Sequence, residues 1–172
     1  MVAAQYSAVE TLRDGRRVEI RALKPADRAG MLAAVANMSE DARYRRFFAP
    51  KRAFSEKELD YYLDVDFVRH AALVAVLDGA IVAEPERAEV AFGVDDAHQG
   101  LGIASTLMRH LVVIARAAGV AQLIAEVLPG NASMLKVFER SGLAMGVRRD
   151  PDVLHVTLDL APRGAVPGKT GR

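Results

Sequence analysis

The chain is 172 residues long, 51% hydrophobic and 26% charged, the proportions of one soluble globular domain with a substantial core. Lys and Arg outnumber Asp and Glu by only 23 to 22, which removes any global-charge argument for nucleic acid as a partner. Cysteine is absent, so disulfides, thiolate nucleophiles and Cys-ligated metals are excluded.

Residues 1–15 read as a loose lead-in closed by an Asp14-Gly15 turn. They contain no apolar core of signal-peptide length, and no run in the chain approaches a membrane span, so a cytoplasmic protein without membrane contact is expected. Arg17 to Leu23 alternates like a strand. Pro25 suits a first helical turn, and Asp27 to Met38 follows with amphipathic spacing. Ser39 can cap a second helix, and Ser55 with Glu58 forms a capping box for a third. Residues 71–77 are apolar throughout, as in a central strand covered on both faces. Asp78-Gly79 then marks a hairpin into the short strand AIVAE.

The next stretch organises the rest. Ala88, Val90, Phe92 and Val94 alternate with Glu89, Ala91 and Gly93, a strand pattern. Ile103, Leu107, Leu111, Ile114 and Ala118 recur at helical steps, and Gly119 suits the position just past the helix end. Between them lies Gln99-Gly100-Leu101-Gly102-Ile103-Ala104, a glycine loop opening directly into a helix. Such a loop leaves backbone N–H groups unpaired at the positive end of the helix dipole, where phosphates bind. A plain tight turn is the competing reading. The dinucleotide fingerprint is only half matched by Gly100-x-Gly102-x-x-Ser105, with no acidic residue in 119–124, and no Walker Gly-Lys-Ser/Thr is present. Gln122 to Leu128 is a further strand, Asn131 caps a helix ending at Gly142, and the last strand runs from Val153 to Leu160. The basic Pro/Gly-rich tail 161–172 is expected to be disordered, leaving a single domain over 1–160.

Val94, then Gln99-x-x-Gly102-x-Ala104, then an amphipathic helix resembles the acetyl-CoA signature of the GNAT acyltransferases. Residues 131–143 resemble that superfamily's second motif, an Asn, an aromatic seven residues later and a closing Gly-apolar pair. The stretch 39–76 is similar to GNAT domains of bacterial protein lysine acetyltransferases. The resemblance implies an α+β, three-layer αβα fold. Its mixed, mostly antiparallel sheet has helices on both faces, and two parallel strands, here 88–94 and 122–128, splay around a coenzyme notch. It implies a direct-attack N-acetyltransferase using acetyl-CoA as co-substrate, without metal, as a monomer or homodimer. A protein lysine is the favoured acceptor, a small amine the runner-up, and a catalytically weak acyl-CoA-sensing module the reading from another class.

The site residues follow from the same resemblance. Phe92, Val94, Gln99, Gly100, Gly102, Ile103, Ala104, Asn131 and Phe138 are expected around the coenzyme, although Asn131 also reads as an ordinary cap and Phe138 as core. Phe138 stands where a proton-donating Tyr is frequent, which points toward the sensing reading. A lysine amine near pKa ~10.4 is mostly protonated at neutral pH, a handicap of roughly 4–5 kcal/mol, so transfer calls for a base. Glu89 is the candidate. It sits beside Ala91 and Gly93, whose small side chains are expected to leave room for a ligand, and apolar neighbours should raise its pKa. An ion pair with an Arg on an exposed strand face is the alternative, and Glu126 is the understudy. His98 adjoins the loop and could meet a phosphate, whereas His70, His110 and His155 read as structural. Arg43, Arg45, Arg46, Lys51 and Arg52 form a solvated helix face, or else receive the 3′-phosphate or an acidic protein surface.

Overall fold

The computed structural model describes residues 3–49, 53–65, 72–86, 91–94 and 96–160, with side chains at all of these except 82–86 and 91. Its centre is β3 (Leu73–Leu77), whose period of two divides the molecule into two cores. Leu73, Ala75 and Leu77 face one cluster, while Ala72 and Val74 face the other. The continuous apolar run at 71–77 is thereby accounted for, since both faces of the strand are covered.

Two hairpins build the sheet around β3. β1 (Ser7–Thr11) pairs antiparallel with β2 (Arg17–Ala22), and β2 with β3. Asp78 and Gly79, at φ 51° and 81°, make the two-residue turn into β4 (Ala80–Glu86), with Leu77 opposite Ala80. β4 pairs with β5 (Ala91–Val94), completing a five-stranded sheet in the order β1-β2-β3-β4-β5. β4 runs two residues beyond the AIVAE stretch, with Pro85 opposite Phe92, so this edge is longer than the sequence suggested.

On one face lie α1 (Arg28–Asn37) and α3 (Glu56–Leu63), burying Met31, Val35, Leu59 and Leu63 against Val74 and Ile81. α2 (Glu40–Phe47) spans between them and packs near β5. On the opposite face α4 (Ile103–Ala117) buries Ile103, Leu107, Met108 and Leu111. A second, three-stranded antiparallel sheet has the order β6-β8-β7, from β6 (Gln122–Val127), β7 (Ala144–Arg149) and β8 (Leu154–Asp159). Its inner face shares the α4 core, together with α5 (Ala132–Arg140). β5 and β6 belong to different sheets and are unpaired with each other among the described residues, which is the opening expected between the strands flanking α4.

Two strands differ from the sequence expectation. Residues 7–11 are β1 rather than a loose lead-in, and 144–149, for which no element is anticipated, are β7. Both are edge strands, so half their hydrogen bonds and most of one face go unburied, and neither needs the apolar alternation that marks a central strand. β1 is secured by polar contacts to α4 instead. The Glu10 carboxylate accepts from Arg109 at 2.9 Å and lies 2.9 Å from His110 Nε2, while Tyr6 Oη is hydrogen-bonded to His110 Nδ1. In the neutral imidazole this places the proton on Nε2, toward the carboxylate, and Nδ1 accepts from the Tyr6 hydroxyl. Burial lowers the His110 pKa against the upward pull of Glu10, and the Arg109 hydrogen bond holds Glu10 below the usual carboxylate range.

Candidate coenzyme cleft

The loop between β5 and α4 is shaped by one turn, one glutamine and two glycines. Asp96–His98 forms a 3₁₀ turn, and Gln99 folds back so that Nε2 donates to Asp96 Oδ1 at 2.8 Å and to the Val94 carbonyl at 3.4 Å. Gly100 and Gly102 take φ of +78° and +89°, the left-handed region that side chains rarely adopt. Gly102 is the N-cap of α4 and has no side chain with which to cap it, and no acid lies in the helix's first turn. α2 and α3 are built differently. There Ser39 and Ser55 accept from the amides of Ala42 and Glu58, with Glu40, Asp41, Glu56 and Glu58 in the first turns. Helix geometry leaves the N–H groups of Ile103, Ala104 and Ser105 outside the α4 ladder, and these stay available to an anion.

A cleft of about 290 Å³ opens at this helix end. β5 contributes Phe92, Gly93 and Val94 to its lining, and the loop and α4 contribute Gln99, Gly100, Gly102, Ile103 and Ala104. Asn131 joins from the start of α5 and is at the same time the expected cap, its Oδ1 accepting from the Met134 amide at 3.3 Å. Four strong cations also line the cleft: Arg13, Arg45, Lys136 and Arg140. No carboxylate is among its described lining residues. Arg13 reaches over the loop from the β1–β2 turn, its Nη1 donating to the Gly100 carbonyl at 3.2 Å. A phosphate-bearing ligand lying along β5 would find backbone N–H groups and cations at one end and apolar β5 surface at the other.

Most of the anticipated residues come together here. Phe138 does not reach the cleft. Its side chain is wholly buried, packed behind Phe92 with ring centroids 6.3 Å apart. The space expected over Gly93 is filled too, because a Cβ at that position would stand 2.5 Å from the Met38 methyl. Glu89 lies outside the described residues, as do His70, Lys51 and Arg52. Glu126 is half exposed on the outer face of β6, 3.4 Å from His155, which also pairs with Asp150 at 2.9 Å. That contact is of the kind expected for the structural pairing weighed against catalysis. Of the basic run, Arg45 lines the cleft, Arg46 is buried, and Arg43 turns back to the Met38 carbonyl at the end of α1.

Arg13 carried no sequence signal, being one arginine ahead of a turn. Lys136 and Arg140 did carry one, since four-residue spacing after a capping Asn puts both on one helix face.

Fold and cleft together define a domain whose cleft joins an uncapped helix N-terminus and cations to an apolar wall. The profile of the acetyltransferase (GNAT) family matches residues 31–143. The chain is 35% identical over 170 residues to "Acetyltransferase Pat" of Mycolicibacterium smegmatis, covering 91% of this chain and 50% of that protein. It is 33% identical over 156 residues to "Acetyltransferase PA5475" of Pseudomonas aeruginosa, covering 84% and 83%. The crystal structure of the GNAT domain of S. lividans PAT superposes with a TM-score of 0.84 at 32% identity, covering 89% of this chain and 96% of that one. The chain belongs to the GNAT acetyltransferase family. It spans about half the length of the Mycolicibacterium protein it matches.

Proposed function

We propose that this domain binds acetyl-CoA in the cleft along β5 and transfers the acetyl group to the side-chain amine of a protein lysine by direct attack in a ternary complex. The observation that carries the coenzyme half is the uncapped α4 N-terminus with Arg13, Arg45, Lys136 and Arg140 around it. Ile103, Ala104 and Ser105 would hold the pyrophosphate by their N–H groups, and the cations would hold the outer phosphates. Bound acetyl-CoA would supply an acyl thioester whose carbonyl carbon forms a C–N bond with the amine as its C–S bond breaks and CoA leaves as the thiolate. The chain's task is then to orient that bond along Phe92 to Val94, exclude water and take up the ammonium proton. Glu89 is assigned the proton, directly or through a water, on the similarity of this chain to lysine acetyltransferases. The likeness of residues 39–76 to those domains supports lysine as acceptor.

A sensing module is the second reading, raised by the sequence motif at Phe138, although that ring is buried behind Phe92. Turnover separates the two. Protein incubated with acetyl-CoA and a panel of lysine peptides and small amines, read by mass spectrometry and free-thiol release, should give acetylated peptide. Acetylation of small amines alone would overturn the lysine assignment. Tight acetyl-CoA binding with no product from any amine would favour the sensor.

A further inference from the structure

The cleft has a polar end at the glycine loop and an apolar end along β5, and against Gly93 at the apolar end stands a methionine. Met38 is the residue after α1, 3% exposed, and its side chain lies directly against Gly93. The fit is tight enough that even one added carbon on Gly93 would sit 2.5 Å from the Met38 Cε and 3.6 Å from its Sδ. Gly93 itself lines the cleft. The methyl of Met38 therefore stands directly against the stretch of cleft wall that Gly93 provides.

The backbone carrying this side chain is held on both sides. The Met38 N–H donates to the Val35 carbonyl at 3.2 Å, and Arg43 Nη1 donates to the Met38 carbonyl. The next residue, Ser39, donates to Asp96 from both its amide and its hydroxyl. Asp96 also receives Gln99 of the glycine loop, so Met38 is positioned relative to the phosphate end of the same cleft. These bonds hold the backbone, while the unbranched thioether itself keeps some freedom to shift.

We propose that Met38, seated on Gly93, sets the length of acyl chain the cleft admits, passing an acetyl group and rejecting a butyryl group. The inference rests on the coenzyme reading above, because a phosphate on the glycine loop is what directs the acyl end toward Gly93. Rejection of added methylenes by an apolar wall is worth about tenfold or more in discrimination.

The test needs no acceptor. Calorimetric titrations of CoA, acetyl-CoA and butyryl-CoA into wild type should show butyryl-CoA binding at least about tenfold more weakly than acetyl-CoA. Met38→Ala should close most of that gap while leaving the affinity for CoA itself unchanged, and Met38→Val, a milder truncation, should fall between. Wild type that binds butyryl-CoA as tightly as acetyl-CoA overturns the inference without any variant, and so does a folded Met38→Ala that keeps the full gap. Failure of wild type to bind CoA at all would instead remove the coenzyme reading.

Discussion

Arg13 offers the sharpest check on how the phosphates are held. Its guanidinium crosses the glycine loop, donating to the Gly100 carbonyl at 3.2 Å, and its Nε lies 3.4 Å from where a Cβ on Gly102 would stand. A pyrophosphate on the α4 N–H groups would sit within reach of it. A hydrogen bond to a charged group is worth about 1.5–3 kcal/mol, and solvent exposure on this loop favours the low end. Arg13→Ala should therefore weaken acetyl-CoA binding roughly ten- to thirtyfold, and Arg13→Lys, which keeps charge but loses the fork, by less. The loss should shrink in high salt, since an exposed ion contact is screened. Folding should hardly change, because the backbone bond from the Arg13 amide to the Leu101 carbonyl at 3.4 Å survives the substitution. Isothermal titration at two ionic strengths, with a thermal melt, reads all three effects. An affinity within about twofold of wild type at low salt would refute the placement of phosphate beneath Arg13, given the charge-assisted contact it should lose.

Other outcomes follow from the same geometry. Glu89→Gln, if Glu89 is the base, should lower kcat about 10²–10⁴-fold with acetyl-CoA affinity nearly unchanged, and raising the pH should recover part of the rate. Phe138→Tyr should not raise turnover, because the ring is wholly buried behind Phe92; the melt should instead show a loss of about 1–3 kcal/mol from an unpartnered hydroxyl. Stability should fall on acidification below about pH 6.5, the ordinary histidine value. Burial lowers the His110 pKa in the fold, so the unfolded chain binds the proton first, and the stabilisation present above that pH is lost as pH drops. Glu10, also lowered, adds a further loss at more acid pH. Thermal melts from pH 7.5 to 5 on wild type and His110→Gln should show the steeper fall in wild type.

The sequence was most informative where local chemistry fixes the backbone. Ser39 and the Ser55–Glu58 capping box, the Asp78-Gly79 hairpin, and Gly100 and Gly102 ahead of α4 each declared their element, because one residue type satisfies the geometry there. The edge strands did not declare themselves, as their pairing is written into β2 and β8 rather than into their own residues. For the cleft, residues on the loop itself were legible, and so was the capping role of Asn131. Those brought in from a distance were not. Arg13 arrives through the β1–β2 pairing, and Met38 reaches Gly93 because Ser39 is tied to Asp96 across 57 positions of sequence. Spacing says nothing about such approaches. Phe138 carried both readings, core and coenzyme contact, and its burial against Phe92 matches the core one.

The central claim is that the α4 N-terminus holds the coenzyme's phosphates, and acetyl-CoA titrated into Gly102→Asp and Gly102→Ala tests it most directly. Both variants carry the strain of a side chain at φ +89°, so Ala measures that cost alone. Asp adds a carboxylate at the anion site and draws Arg13 onto itself, the Arg13 Nε being 3.4 Å from the new Cβ position. Phosphate held on this loop predicts that Asp binds acetyl-CoA at least about thirtyfold more weakly than Ala, the loss of roughly 2 kcal/mol of charge-assisted contact. Equal affinities in the two variants would contradict it.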